Sequence, residues 1–373
     1  MSRNIEDRLA RLRTRRKGTD RLERVATAAR DEVLAKALVT EGWEKRSSKP
    51  HTRYALGAME AVDAEGTKKS VDTAVRVGRQ LEKGLSMSVT FRLQGSVPLD
   101  VHIRGVSDVD LLTIDLRMLT YASAGPLAGQ YARTTLSSMG CLIQLRGEAE
   151  KLLKAAYPAA TVDCSGGKCI ALSGGSLERP VDVVPSHWFD TVAYQASRQE
   201  HDRGVTILNK KVPTTIDNLP FLHIKRVHDA DATVLGGLKK AIRLTKNVKN
   251  DADDQTNACK LPSFDIAALL YHADRGALLA GYTHDLAILH ETQRFLDWAW
   301  RNQAEAKLLR TPDGSRAILD TPAKFDGLLA ISLEMDDLAN RVAAEQVPVM
   351  GIGVLDQQRV RKILREASIP KAA

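Results

Sequence analysis

One stretch, Phe91 to Leu116 (FRLQGSVPLDVHIRGVSDVDLLTIDL), constrains this chain more than any other. Val89, Phe91 and Leu93 alternate as β-formers up to Gly95-Ser96, and about a dozen residues later Asp108-Val109-Asp110 opens a second strand. Strand side chains alternate faces, so Asp108 and Asp110 project to one side, roughly 7 Å apart along the strand. Two carboxylates so placed can share hard divalent cations. The Gly-Ser turn offers what phosphate needs: close backbone approach, exposed N–H donors and a hydroxyl. A carboxylate pair beside a phosphate turn points to nucleotide chemistry.

With 373 residues the chain can form two domains and an ample core, and 43% hydrophobic with 27% charged residues is ordinary for a globular protein. No apolar run is long enough to span a bilayer, and the N-terminal MSRNIEDRLARLRTRR has no signal-peptide character, so a cytoplasmic location and no membrane partner are expected. The net charge of +8 suits a polyanionic partner or substrate but leaves nucleic-acid binding undecided. Cys164 and Cys169 flank Gly166-Gly167, a pattern that predicts a two-residue hairpin turn with the thiols facing each other, reduced and without a second zinc-ligand pair. The remaining cysteines are Cys141 and Cys259.

The periodicity predicts helices over 5–46, 68–83 and 130–157, with Leu9, Leu12, Leu22, Val25 and Ala28 on the apolar side of the first. Pro50 reads as a breaker within 47–54, and Pro158 as the end of the third helix. A strand over 179–185 (RPVDVVP) carries Asp182 alone among apolar residues. A carboxylate there needs a cation or donor; if this strand lies beside the Asp108/Asp110 strand, Asp182 completes a three-carboxylate site, and otherwise Arg179 is a ready ion-pair partner. From about Thr215 onward the pattern is helical. Helices are expected over 235–250, over 263–273 with Ser263 as N-cap and Asp265 in the first turn, over 284–309, near 322–345, and at the start of 356–373, whose end (Ile369-Pro370-Lys371) frays.

Gly95-Ser96, Asp108-x-Asp110 and the distal strand aspartate Asp182, followed by a helical region, resemble the polymerase-beta-like nucleotidyltransferase superfamily. The likeness is closest to the bacterial cyclic-oligonucleotide synthases (CD-NTases) and covers roughly 86–272. IRLTKNVKN resembles the family helix whose lysine, here Lys246, reaches the donor triphosphate. KLPSFDIAALLYH looks like the segment whose serine and aromatic, here Ser263 and Phe264, touch phosphate and base.

The resemblance implies an α+β fold: a mixed-sheet nucleotidyltransferase core with N-terminal helices over 1–215 and a C-terminal helical domain over 216–373. It implies that Asp108, Asp110 and Asp182 are both catalytic residues and metal ligands for two Mg²⁺ ions, replaceable by Mn²⁺. Gly95, Ser96, Lys246, Ser263 and Phe264 would bind nucleotide. The implied substrates are ATP and other nucleoside triphosphates, the product a short, cyclic second messenger of antiphage defence, and an activator or regulatory protein an allowed partner. Two alternatives stay open: a relative that tails RNA or nucleotidylates small molecules or proteins, and a catalytically idle RNA-binding relative. Aromatics at 5% offer few stacking platforms for a single strand.

Overall fold

The computed structural model describes residues 4–19, 34–35, 37–347 and 356–371. In chain order the main helices are α1 (Ile5–Lys17), α2 (Pro50–Met59), α3 (Ala64–Gly84), α4 (Ser138–Ala156), α5 (Gly237–Asn250), α6 (Ser263–Leu270), α7 (Leu286–Arg301), α8 (Pro322–Gln346) and α9 (Gln357–Glu366). The strands are β1 (Val89–Gln94), β2 (Val109–Tyr121), β3 (Ala160–Asp163), β4 (Ile170–Gly174), β5 (Val181–Asp190), β6 (Gly204–Asn209) and β7 (Thr214–Asn218). Two compact units result, one of Asp63–Leu99 with Ser107–Arg226, the other of Met1–Val62, Asp100–Val106 and Val227–Ala373.

The first unit is built on a seven-stranded sheet in the order β1-β2-β5-β4-β3, with β6 pairing β5 and β7 pairing β6. Only the central β2–β5 pair is parallel among these pairings; the rest are antiparallel, so the sheet is mixed. β5 serves two neighbours along its length, its first residues pairing with β4 and its last with β6. Alternation along β2 and β5 separates two faces. Val109, Leu111, Val181 and Val183 pack with Ala74, Val77 and Leu81 of α3 and Ala149 and Leu153 of α4. On the opposite face Leu112, Ile114 and Val184 join Trp188, Val205 and Ile207. Asp110 and Asp182 belong to that second face by parity, at the end where the strands begin.

The helical unit centres on α5, where Leu238, Ala241, Ile242, Leu244 and Val248 are buried. Asp251 follows α5 and is itself buried, a costly position for a carboxylate unless it is paired. Arg15 of α1 donates to it at 2.8 Å and the Tyr54 hydroxyl of α2 at 2.9 Å. His290 of α7 has Nδ1 buried without a hydrogen-bond partner. Burial, reinforced by Arg361 and Arg365 of α9 and by Arg294, pushes its pKa down to about 4. An unfolded chain protonates this histidine near 6.5, so it binds more protons than the folded chain between about pH 6.5 and 4, and stability falls as pH drops through that window. A His290→Asn variant is therefore expected to lose less thermal stability between about pH 7 and 5 than the parent chain. Identical pH dependence in the two melting series would contradict this assignment.

Several sequence expectations change. α1 stops at Lys17 because Gly18 adopts φ 71° and its N–H turns back to Arg15 and Thr14 carbonyls, a glycine C-cap. Leu22, Val25 and Ala28 lie outside the described residues. Pro50 does not break a helix but begins one: at the first helical position its missing N–H costs nothing and its fixed φ suits the turn. The predicted helix over 130–157 starts only at Ser138, where Ser137 caps the Gly140 N–H. Ser263 is the first helical residue, and Pro262 occupies the N-cap. The Cys164/Cys169 hairpin is also wrong in detail. Asp163 pairs with Ala171, so residues 164–169 form a wider loop and the thiols do not oppose one another across the strands; all four cysteines are free.

Candidate active site

Gly95 follows β1 with φ +78°, a conformation that L side chains rarely adopt. A Cβ there would stand 2.1 Å from Asp110 Oδ2. The glycine is thus required both by its backbone and by the carboxylate beside it. Ser96 is half-buried in the turn that follows, which Val97 and Leu99 anchor by burial.

The second strand brings the carboxylates together. Gln94 pairs with Asp110, and Asp110 pairs directly with Asp182 across the parallel β2–β5 ladder. Asp108 lies one residue before β2, and the Val109 N–H fixes that entry by donating to the Pro180 carbonyl at 3.0 Å. Asp182 is strongly perturbed. Burial raises its pKa, the neighbouring Asp108 charge and their shared hydrogen bond raise it further, and the result is about 6. Arg179, the alternative partner, instead directs a guanidinium nitrogen to the Glu178 carbonyl at 3.0 Å.

The sequence reading missed Cys169. Its Sγ donates to Asp182 Oδ2 at 3.3 Å, and burial together with the Asp182 carboxylate pushes the thiol up to about 12. The signal was register: Ala171 pairs with Asp182, so Cys169, two residues earlier on the same face, is its diagonal neighbour. Without knowing that β4 and β5 pair, the spacing of Cys169 and Asp182 along the chain carries no such information.

The chemistry of the donor set fits a hard divalent cation: carboxylate oxygens on one face, where burial first and the Asp108 charge second raise the Asp182 pKa to about 6. Among the described residues no group of three or more acidic, histidine or cysteine side chains is close enough to hold a metal ion by itself. An open set of carboxylates is what Mg²⁺ uses when it keeps waters and shares substrate phosphates.

The other proposed nucleotide contacts belong to the helical unit. Lys246 is buried and its ammonium donates to the Val101 carbonyl at 2.7 Å. Its neighbours Lys239 and Lys240 lie near Asp231 and Asp285 respectively. Ser263 is exposed, and Phe264 is 41% exposed with the Arg316 guanidinium 5.3 Å from its ring centre. Asp265, also in the first turn of α6, is fully buried and held by Arg316 and Lys324.

No general family profile matches the chain. Individual relatives do. A cyclic dinucleotide synthase, CdnE, of Yersinia aleksiciae is 42% identical over 350 residues, spanning 91% of this chain and 92% of that protein. A c-di-GMP synthase of a Lachnospiraceae bacterium is 31% identical over 241 residues, 59% of this chain and 68% of the relative. Among solved structures, the STING-associated CdnE c-di-GMP synthase from Capnocytophaga granulosa superposes with a TM-score of 0.70 at 25% identity, over 92% of this chain and 99% of that one. The family depends on divalent metal, in keeping with the carboxylate face. The mixed sheet, the Gly95 turn against Asp110, the Asp110–Asp182 register and a full-length relative at 42% identity lead to one assignment: the chain belongs to the CdnE cyclic dinucleotide synthases, nucleotidyltransferases of the CD-NTase family.

Proposed function

We propose that this enzyme joins nucleoside triphosphates into a cyclic dinucleotide, that at least one of its bases is guanine, and that the product signals in antiphage defence. The observation that carries the catalytic part is the register of Asp110 against Asp182 with Gly95 pressed against Asp110. The guanine reading rests on relatives named c-di-GMP synthases and the defence reading on a STING-associated one. These relatives favour a cyclase over RNA tailing, small-molecule or protein nucleotidylation and idle RNA binding.

In this reading an acceptor hydroxyl oxygen attacks the α-phosphorus of a donor triphosphate, the bond to pyrophosphate breaks, and Asp182 receives the hydroxyl proton. A second attack, by the hydroxyl of the linear intermediate on its remaining triphosphate, closes the ring and releases a second pyrophosphate. Gly95 and Ser96 grip the donor phosphates through backbone N–H groups and a hydroxyl. Asp108, Asp110 and Asp182 would hold two Mg²⁺ ions, or Mn²⁺ in their place, which supply Lewis-acid neutralisation of phosphate charge and a more acidic acceptor hydroxyl. Lys246, Ser263 and Phe264 are carried in the proposal as nucleotide contacts by resemblance alone.

The test is product analysis with GTP alone, with each other triphosphate alone, and with pairs. A guanine-containing cyclic dinucleotide is expected from GTP alone or from GTP with one partner. A cyclic product formed equally well without GTP would overturn the guanine assignment.

A further inference from the structure

The loop between β3 and β4 is an unusual place to spend a buried arginine. Arg146 of α4 is buried and directs its guanidinium at the Gly167, Cys164, Gly166 and Cys169 carbonyls, at 2.9, 3.3, 2.6 and 3.1 Å. The Lys210 N–H adds a bond to the Gly167 carbonyl at 2.8 Å. Loops of this kind usually lie on the surface and satisfy their backbone with water. Here the backbone is fixed from beneath, and the residue that emerges from it towards the sheet is Cys169, with Sγ 3.3 Å from Asp182 Oδ2.

We propose that Cys169 is a positioning residue for Asp182, its thiol holding one carboxylate oxygen so that the other is presented to the divalent cation. The inference rests on the reading of Asp182 as a metal-ligating carboxylate. Among the described residues Cys169 is the neutral side chain that donates a hydrogen bond to Asp182; Asp108 and Asp110, which also neighbour it, are acids. A carboxylate flanked by like charge turns away from it unless a donor restrains the turn. A thiol is a weak donor, so it sets orientation while leaving most of the carboxylate's charge for a cation, which a guanidinium or ammonium would neutralise. Partners of this kind, one shell out from a metal, commonly change affinity or activity by about 10–100-fold when removed.

The experiment compares the full chain with Cys169→Ala, Cys169→Ser and Asp182→Asn. Mn²⁺ binding is read by electron paramagnetic resonance in the presence of a non-hydrolysable GTP analogue, turnover is measured against Mg²⁺ concentration, and folding is followed by thermal melting. Cys169→Ala is expected to weaken Mn²⁺ binding and to raise the Mg²⁺ needed for half-maximal turnover, each by about tenfold, with its melting temperature little changed. Cys169→Ser, which keeps a donor in nearly the same volume, is expected to restore both. If the alanine variant does not fold, Cys169→Val fills the space without a donor and carries the same expectation. Wild-type Mn²⁺ binding in the donor-free variant, or a serine variant as impaired as it, would overturn the proposal. Asp182→Asn separates the two levels: if it is inactive while Cys169→Ala behaves as wild type, only the role of Cys169 fails. If Asp182→Asn keeps full activity and Mn²⁺ binding, the reading of the site itself fails.

Discussion

Asp110→Asn is expected to reduce turnover by about a thousandfold or more while leaving the melting temperature within a few degrees of the parent. Asp110 stands in the middle of the row, paired to Gln94 on one side and to Asp182 on the other. Asparagine keeps the shape and the strand but removes the negative charge a divalent cation requires. With the shape kept, the fold is expected to stand while the chemistry is disabled. Steady-state turnover beside a melting curve separates the two effects. A variant that melts early and loses activity in proportion would point to a structural carboxylate, and one that turns over normally would remove Asp110 from the site.

Gly95→Ala is expected to have the next largest effect, for a different reason. The added Cβ falls 2.1 Å from Asp110 Oδ2, closer than atoms can approach, on a backbone with φ +78°. The backbone conformation alone costs about 1–2 kcal/mol for a residue with a side chain. Relief of the clash is mechanically cheap, because Asp110 Oδ2 is the end of a side chain that can rotate. That rotation takes the carboxylate out of the site. The fold is therefore expected to survive with modest loss, while turnover falls by about a hundredfold. Soluble, cooperatively melting Gly95→Ala protein with wild-type turnover would show that the close approach has no catalytic consequence.

The difference between what was legible in the chain and what was not follows from the range of the interactions. Asp108-x-Asp110 and Gly95-Ser96 are local patterns, and strand alternation was enough to place both aspartates on one face. The helix over 68–83 was likewise visible in its apolar spacing, and the structure extends it to Ala64–Gly84. Apart from the family resemblance, Asp182 was recognisable as a carboxylate in need of company; that β5 runs parallel to β2 and pairs it with Asp110 is a long-range choice no local spacing encodes. Cys169 was misread because a Gly-Gly pair suggests a tight turn, whereas the guanidinium of Arg146, on another helix, organises a wider loop. Pro50 and Ser263 were both displaced by one recurring ambiguity: a residue that suits a helix boundary fits either side of it. Lys246 could be placed on its helix, but its ammonium on the Val101 carbonyl depends on a segment far away in sequence.

The most direct test of the account is to incubate the purified chain with the four ribonucleoside triphosphates and Mg²⁺, treat with phosphatase, and identify the resistant products by mass spectrometry, with Asp108→Ala/Asp110→Ala in parallel. A phosphatase-resistant cyclic dinucleotide is expected from the parent chain and none from the double variant. A resistant product that persists in the double variant, or a parent chain that yields only extended RNA when RNA is supplied, would contradict it.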